Sequence, residues 1–497
     1  MPAAVPWTTE AVPCLNGLDR TMGESAATAS ADGEGSDSTT ADGRRVVNVA
    51  VDGDIVLDVT FETSLETLRK HRKAEAAALR KTRAPSQQLP PASSGTRVRV
   101  AYRLSLEVLK RSSKYFANLL SNPKFCEAEA ISSAHATLHS MRIPPKEAAV
   151  DDLPWVAVAD DDDATKAAGR ETAFEDMMRI LHRKPVKETR ATMSYATTMA
   201  IIADRFDCVA IVARALNTDL KFKWPLTSTK PLVDDAGRPT DVEQVLRQKI
   251  LVSWLLGQPL RLQQSSRELI IRGSSYWSVY HEPETASTAA WWNLPDGIEN
   301  ELQYRRECIL NTIASVQKHF VDLYSSRERQ CKMGYDSSAA CDSFQLGQMI
   351  KFLVSKNLLF LVDYSAASIN AVPDASSVNI EGLLVTLRQC PNYQIDKNHT
   401  NCGPRVRLGP ILDYMQSMLS ASVVSLSHAD WTNRRETASW ATGDGSDTAG
   451  DGEKDKTFLF TRSVANDQRL RYEGALYVDK MAKRLFTSET WNWTPEI

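Results

Sequence analysis

A chain of 497 residues with 42% apolar and 24% charged content is long enough for two or three domains with substantial cores. Its formal net charge of -3 supplies no overall pull toward nucleic acid or an anionic membrane. The longest apolar runs, around Leu251 and over 352–362, are broken by Gly257, Pro259, Lys356 and Asn357, which excludes a bilayer-spanning helix.

Residues 1–43 are rich in Ala, Ser, Thr, Gly and Asp, with almost no large apolar residue after Leu18, and are expected to be disordered. The opening lacks a basic start followed by an apolar run, so no secretory signal is expected. Eight cysteines in such a context imply reduced thiols in a cytoplasmic or nuclear setting. From Arg44, VVNVAVDGDIVLDVTFET is dense in branched residues and turns at Asp52-Gly53, which predicts a hairpin. Residues 65–85 then read as a basic, alanine-rich helix ahead of a Gln/Pro/Ser linker. Its cations Arg69, Lys70, Arg72 and Lys73 allow a solvated surface, a nuclear-import signal or a phosphate-contacting arm.

Over 96–125, Val98, Val100 and Tyr102 alternate with Arg97, Arg99 and Arg103, a half-buried strand. Leu106, Leu109, Tyr115-Phe116 and Leu119-Leu120 follow at helical spacing until Pro123. Residues 127–150 show little pattern. Residues 153–158 read as a third strand, and Asp160–Asp163 as a loop without calcium-loop spacing. Helices are predicted from Ala173 to Leu181, closed by His182-Arg183-Lys184-Pro185, then over 192–204 and 206–217.

The stretch RVRVAYRLSLEVLKRSSKYFANLLSN resembles the second strand and first helix of the BTB/POZ domain, with Leu109, Ser113, Tyr115 and Phe116 at matching places. Asp54–Val59 looks like that family's first strand and should pair with 98–102. Ala173-Phe174, Ile180-Leu181-His182, Ile201, Ala203-Asp204 and Phe206-Asp207-Cys208 stand in the order of its final helices. The histidine that usually opens the helix is absent, and the 65–95 insertion replaces a short connection. The whole is similar to fungal proteins that carry such a core with long helical extensions. The resemblance implies an interaction module that self-associates as a homodimer or binds a cullin-type ligase scaffold. Leu106, Leu109, Tyr115 and Phe116 are its candidate interface residues, with ordinary core as the alternative.

Beyond residue 240 the chain turns helical. Val242, Val245-Leu246, Ile250 and Trp254 share a face, and Gly257-Gln258-Pro259 ends that helix. An irregular but aromatic stretch, 265–292, reads as a packed connector. Asp296 with Glu299 predicts a capping box for a helix reaching Tyr324, and a second helix spans 344–357. Segments 470–478 and 485–486 are candidate strands that pair or dock. Four cysteines, Cys331, Cys341, Cys390 and Cys402, lie here with His399, on what read as loops. Thiolates and an imidazole on Gly- and Pro-containing loops suit a structural zinc, and buried or unpaired thiols are the alternative.

No phosphate loop, dinucleotide turn, nucleophile elbow or H-E-x-x-H helix occurs, and no catalytic residues are assigned. The expected architecture is α+β: a disordered 1–43; a BTB/POZ-like domain over 44–220 with insertions at 65–95 and 127–150; a helical domain over 240–430; a disordered loop over 431–456; and a C-terminal segment, 457–497, packing on the helical domain. The expected role is a non-enzymatic adaptor with protein partners, no membrane and, apart from structural zinc, no cofactor. The alternative is a nuclear nucleic-acid-associated factor that uses the basic 69–83 helix.

Overall fold

The computed structural model describes residues 38–39, 44–82, 95–188, 190–232, 240–278, 289–331, 333–334, 336–359, 374–442, 457–467 and 469–493. It is α+β and divides into two units. One holds the described residues up to Asp162 with Lys166–Ala191 and Thr198–Lys221; the other holds Asp163–Thr165, Thr192–Thr197 and everything from Phe222 onward. Apart from Ser38–Thr39, the expected disordered N-terminus lies outside the described residues.

The first unit is built on a sheet of β1 (Ser38–Thr39), β2 (Arg45–Asn48), β3 (Ile55–Glu62), β4 (Arg97–Leu104) and β5 (Trp155–Asp161), in the order β1-β2-β4-β3-β5. β3 runs antiparallel to β4, with Val59 opposite Val100, and parallel to β5, with Val59 opposite Val158. The predicted hairpin at Asp52-Gly53 does not form, because β4 lies between the two strands it would join. The turn instead straddles the end of β4, where Ala50 N–H bonds the Arg103 carbonyl at 3.1 Å and Asp54 N–H bonds the Leu104 carbonyl at 3.0 Å. A Cβ on Gly53 would stand 2.8 Å from the Leu104 carbonyl oxygen, so glycine is what admits this crossing.

The alternation of β4 is used across the sheet. Arg97 Nε bonds Glu62 at 2.9 Å, and Arg99 Nε bonds the buried Asp58 at 2.8 Å. Asp54 Oδ1 accepts the Leu106 N–H at 2.7 Å and so caps the Leu106–Ser112 helix from β3's approach. Ser113 Oγ accepts the Phe116 N–H at 3.0 Å, capping Lys114–Ser121, and donates to the Phe206 carbonyl at 2.6 Å. Phe116 stacks on Phe206 at 5.3 Å, and Phe174 reaches Phe61, Tyr102 and Phe206 at 5.2–5.7 Å. This aromatic core joins the sheet to the helices Arg170–Leu181, Met193–Arg205 and Val209–Thr218.

One stretch without pattern proves helical in this unit, and one further expectation fails. The patternless 127–150 contains the helix Cys126–Ser140, which buries only Ile131 and Leu138, too few contacts to write a helical period. Asp160 and Asp161 belong to β5, not to a loop. Asp160 is buried against Arg170 Nε at 2.7 Å and against Arg205, while Asp162 accepts from Ser64 Oγ at 2.9 Å. Arg170 also donates to the Glu62, Asp160 and Ala167 carbonyls, so the buried charge is saturated.

The second unit stacks the helices Val242–Leu255, Pro259–Arg272, Ile298–Ser325, Ser338–Ser355, Ile380–Arg388, Pro404–Leu419 and Ala475–Phe486. Residues 265–272, the start of the stretch expected to be irregular, belong to the Pro259–Arg272 helix, with Leu269 and Ile270 fully buried. The capping box at Asp296 is not made. Asp296 has φ 58°, Gly297 is the N-cap, and Glu299 is buried as the partner of Arg247 Nη1 at 2.8 Å and of Trp277 Nε1 at 2.6 Å. Arg247 lies 5.1–5.7 Å from the ring centres of Tyr276, Trp277 and Trp292, which is why the aromatic connector is rich in those residues. Tyr280 of that stretch falls outside the described residues.

The tail strands predicted at 470–478 and 485–486 are helical, in Arg469–Tyr472 and Ala475–Phe486. Ala482, Leu485 and Phe486 are buried at helical spacing, which outweighs their β-propensity. The tail's strands are instead β6 (Thr457–Leu459) and β7 (Thr490–Asn492), paired in parallel. Phe458, Phe460 and Trp493 are buried, and Trp493 Nε1 donates to Ser315 Oγ at 2.9 Å. Of the loop expected at 431–456, the described portion carries the short helices His428–Asn433 and Arg435–Ala438 and buries Trp431 and Trp440. The remainder lies outside the described residues.

Candidate metal centre

Three pieces of the second unit converge on one point. The segment after Ile298–Ser325 carries Cys331; Cys341 stands in the opening turn of Ser338–Ser355, and not on the loop expected from its spacing; the connection ahead of Pro404–Leu419 carries His399 and Cys402. All four are buried, and their donor atoms lie within 4.8 Å of one another. Cys331 Sγ is 3.3 Å from His399 Nδ1 and 3.7 Å from Cys402 Sγ. A disulfide needs about 2.05 Å, so these sulfurs are not bonded. Two sulfurs each about 2.3 Å from a tetrahedral zinc stand about 3.8 Å apart, close to the spacing found.

The surrounding shell orients the donors. His399 Nε2 meets Ser337 Oγ at 2.9 Å and Asp396 Oδ2 at 3.9 Å, leaving Nδ1 toward the thiols. Asp396 Oδ1 also takes the N–H groups of Asn398 and His399 at 2.7 and 3.1 Å, which folds the loop. Asn401, at φ 59°, makes the left-handed step between His399 and Cys402. Tyr324 Oη donates to the Cys402 carbonyl at 2.8 Å. Arg407 holds Gln330, next to Cys331, through its side chain at 2.9 Å and its carbonyl at 3.2 Å.

The electrostatics ask for a cation. Burial, then the neighbouring Cys402 and Cys331, pushes the Cys341 thiol up to about 12, and Cys402 is raised by burial and by Cys331. Burial also opposes the Cys331 thiolate, yet hydrogen bonds from the Met333 N–H, Cys402 and His399 bring that thiol down to about 7. The Cys341 and Cys402 thiols are thus disfavoured as thiolates chiefly by burial and secondarily by neighbouring sulfurs, a penalty that a divalent ion at the centre of the four donors would offset. This Cys3His set can hold zinc.

Cys390, expected among the ligands, is not part of the group. It is buried on its own, its thiol directed at the Pro391 carbonyl at 3.8 Å and pushed up to about 11 by burial. Asp396, Ser337 and Tyr324 were not anticipated; only Asp396, three residues before His399, left a trace in the sequence.

The remaining candidates are dispersed. Leu109 and Phe116 are fully buried in the first unit's core, whereas Leu106 and Tyr115 are half-buried. Tyr115 packs edge-on against Phe116 and Phe206 at 5.3 and 5.2 Å. Arg69, Lys70, Arg72 and Lys73 are exposed on the Leu65–Thr82 helix, where Lys70 pairs with Glu66 at 2.7 Å. Among the described residues no helix is long and apolar enough to cross a membrane.

Compared with known proteins, the chain matches no family model, no curated protein and no solved structure.

Proposed function

We propose that this protein is a non-enzymatic interaction scaffold, in which a BTB/POZ-like unit engages a protein partner and a zinc-stapled helical unit follows it. The pairing of β3 with β4 and β5, ahead of the helices that bury Phe174 and Phe206, carries the first half. Those elements occur in the order that the resemblance calls for: first strand, second strand with its Ser113-Tyr115-Phe116 helix, third strand, closing helices. The spacing of the Cys3His donors supports the second half. With Leu109 and Phe116 inside the core, Leu106 and Tyr115 are the two of the four that remain for contact.

The test has two arms on the full chain: light scattering behind size-exclusion chromatography, and calorimetric titration with the N-terminal domain of a cullin. A dimer at micromolar concentration, or saturable cullin binding, is the expected result. A monomer that binds no cullin overturns the scaffold role. The exposure of Arg69, Arg72 and Lys73 favours one second reading, a nuclear factor contacting phosphates. That reading requires duplex-DNA binding that weakens steeply with salt.

A further inference from the structure

In the first unit, the end of the Leu106–Ser112 helix, the 182–188 segment and one side of the Val209–Thr218 helix border a groove of about 860 Å³. Its floor is aliphatic, with Ile180, Leu181 and Ala215 buried and Ile211 half-buried. Its rim carries five exposed cations, Arg111, Arg183, Lys184, Arg214 and Lys221, against Glu188 and Asp219. Other cations of this unit are paired, among them Arg97 with Glu62, Arg170 with Asp160, and Arg179 and Lys187 with Glu175. None of the five rim cations has an ion-pair partner among the described residues. Uncompensated like charges beside a low-dielectric floor concentrate a positive field in the groove.

The rim is also set in place. Arg183 has φ 55°, and the Lys184 N–H returns to the Arg179 carbonyl at 2.8 Å, a helix-ending motif that fixes where both residues leave the helix. Arg111 stands in the last turn of Leu106–Ser112, and Arg183, Lys184 and Lys221 follow the C-termini of Arg170–Leu181 and Val209–Thr218, so three helix dipoles converge on the rim and favour its cations.

We propose that this groove docks an acidic segment of a partner protein, with apolar side chains on the floor and carboxylates against the rim. An aliphatic floor suits leucine-type anchors, and no aromatic residue lines the groove to stack a nucleotide base. The proposal deepens the scaffold reading and rests on it only in taking a protein segment as the ligand.

The test is fluorescence anisotropy on the full chain with three labelled probes: a short Glu/Leu peptide, its Gln/Leu analogue, and a single-stranded oligonucleotide. The Glu/Leu peptide is expected to bind with an affinity that falls as salt rises. Arg111→Glu with Lys184→Glu should weaken it by about tenfold or more, while Arg69→Glu with Lys73→Glu, outside the groove, leaves it unchanged. Both pairs are exposed, and matched melting curves establish that the variants fold. Equal binding of the Gln/Leu analogue, equal binding by the groove variant, or tighter binding of the oligonucleotide would each overturn the proposal. Self-association or cullin binding that survives in a chain deaf to the peptide sinks the groove alone and leaves the scaffold role standing.

Discussion

Removing zinc should cost the helical unit a definite share of its stability. Cys331 and His399 are 68 residues apart in sequence, and a shared ion would cross-link them. Closing a loop of that length in the unfolded chain costs about 4 kcal/mol by the (3/2)RT ln n relation, and the metal removes that cost from folding. Stripping the ion also leaves the Cys341 and Cys402 thiols in a site where burial first, and neighbouring sulfurs second, disfavour their ionisation. At 2–4 °C per kcal/mol for a unit of this size, a strong chelator should lower its melting temperature by roughly 8–16 °C, and added zinc should restore it. Native mass spectrometry gives the stoichiometry, one zinc per chain, and a chelator-titrated thermal melt gives the shift. Cys402→Ser should abolish the bound ion. Cys390→Ser, outside the donor group, should retain it. A metal-free mass in a preparation never exposed to chelator, with a melt that chelator does not move, would refute the assignment.

Three further outcomes follow from the packing. Burial holds the His182 imidazole below its usual range, and Nε2 accepts the Ser105 N–H at 3.0 Å while Nδ1 faces the Met178 carbonyl at 2.8 Å. A lowered folded-state value means that its contribution is complete above the unfolded value, about 6.5, and is lost as pH falls below it. Urea midpoints of the first unit should therefore drop between about pH 7 and pH 5, and His182→Gln should flatten that slope; a parallel slope in the variant contradicts the assignment. At Gly273, φ is 84° and a Cβ would fall 2.0 Å from the Ser376 carbonyl oxygen, so Gly273→Ala should cost about 3 kcal/mol or more in denaturant unfolding, and a loss under about 1 kcal/mol would contradict the backbone path there. Phe116→Ala should destabilise the first unit by about 3–5 kcal/mol, as expected of a core ring stacked on Phe206. If it weakens association while leaving the unfolding midpoint unmoved, Phe116 is an interface residue after all.

Where one short segment carried its own periodicity, the sequence was enough. The alternation of Val98, Val100 and Tyr102 with arginines wrote β4, and the spacing of Leu302, Ile309, Ile313, Val316 and Phe320 wrote the long helix. Local patterning could not say that β4 would insert between β2 and β3, because strand order is decided by which apolar faces meet and not by which strands are neighbours in the chain. The same limit governed the charges. Asp160–Asp163 looked like a solvated loop until Arg170 and Arg205 closed on Asp160, and Glu299 looked like a cap until Arg247 reached it from another helix. The donor types at the candidate metal centre could be read from composition and loop residues, but membership could not. Cys390 has the same chemistry as Cys402 and is excluded because thiolate–metal distances leave room for four donors, and the folded chain brings Cys331, Cys341, His399 and Cys402 within that reach.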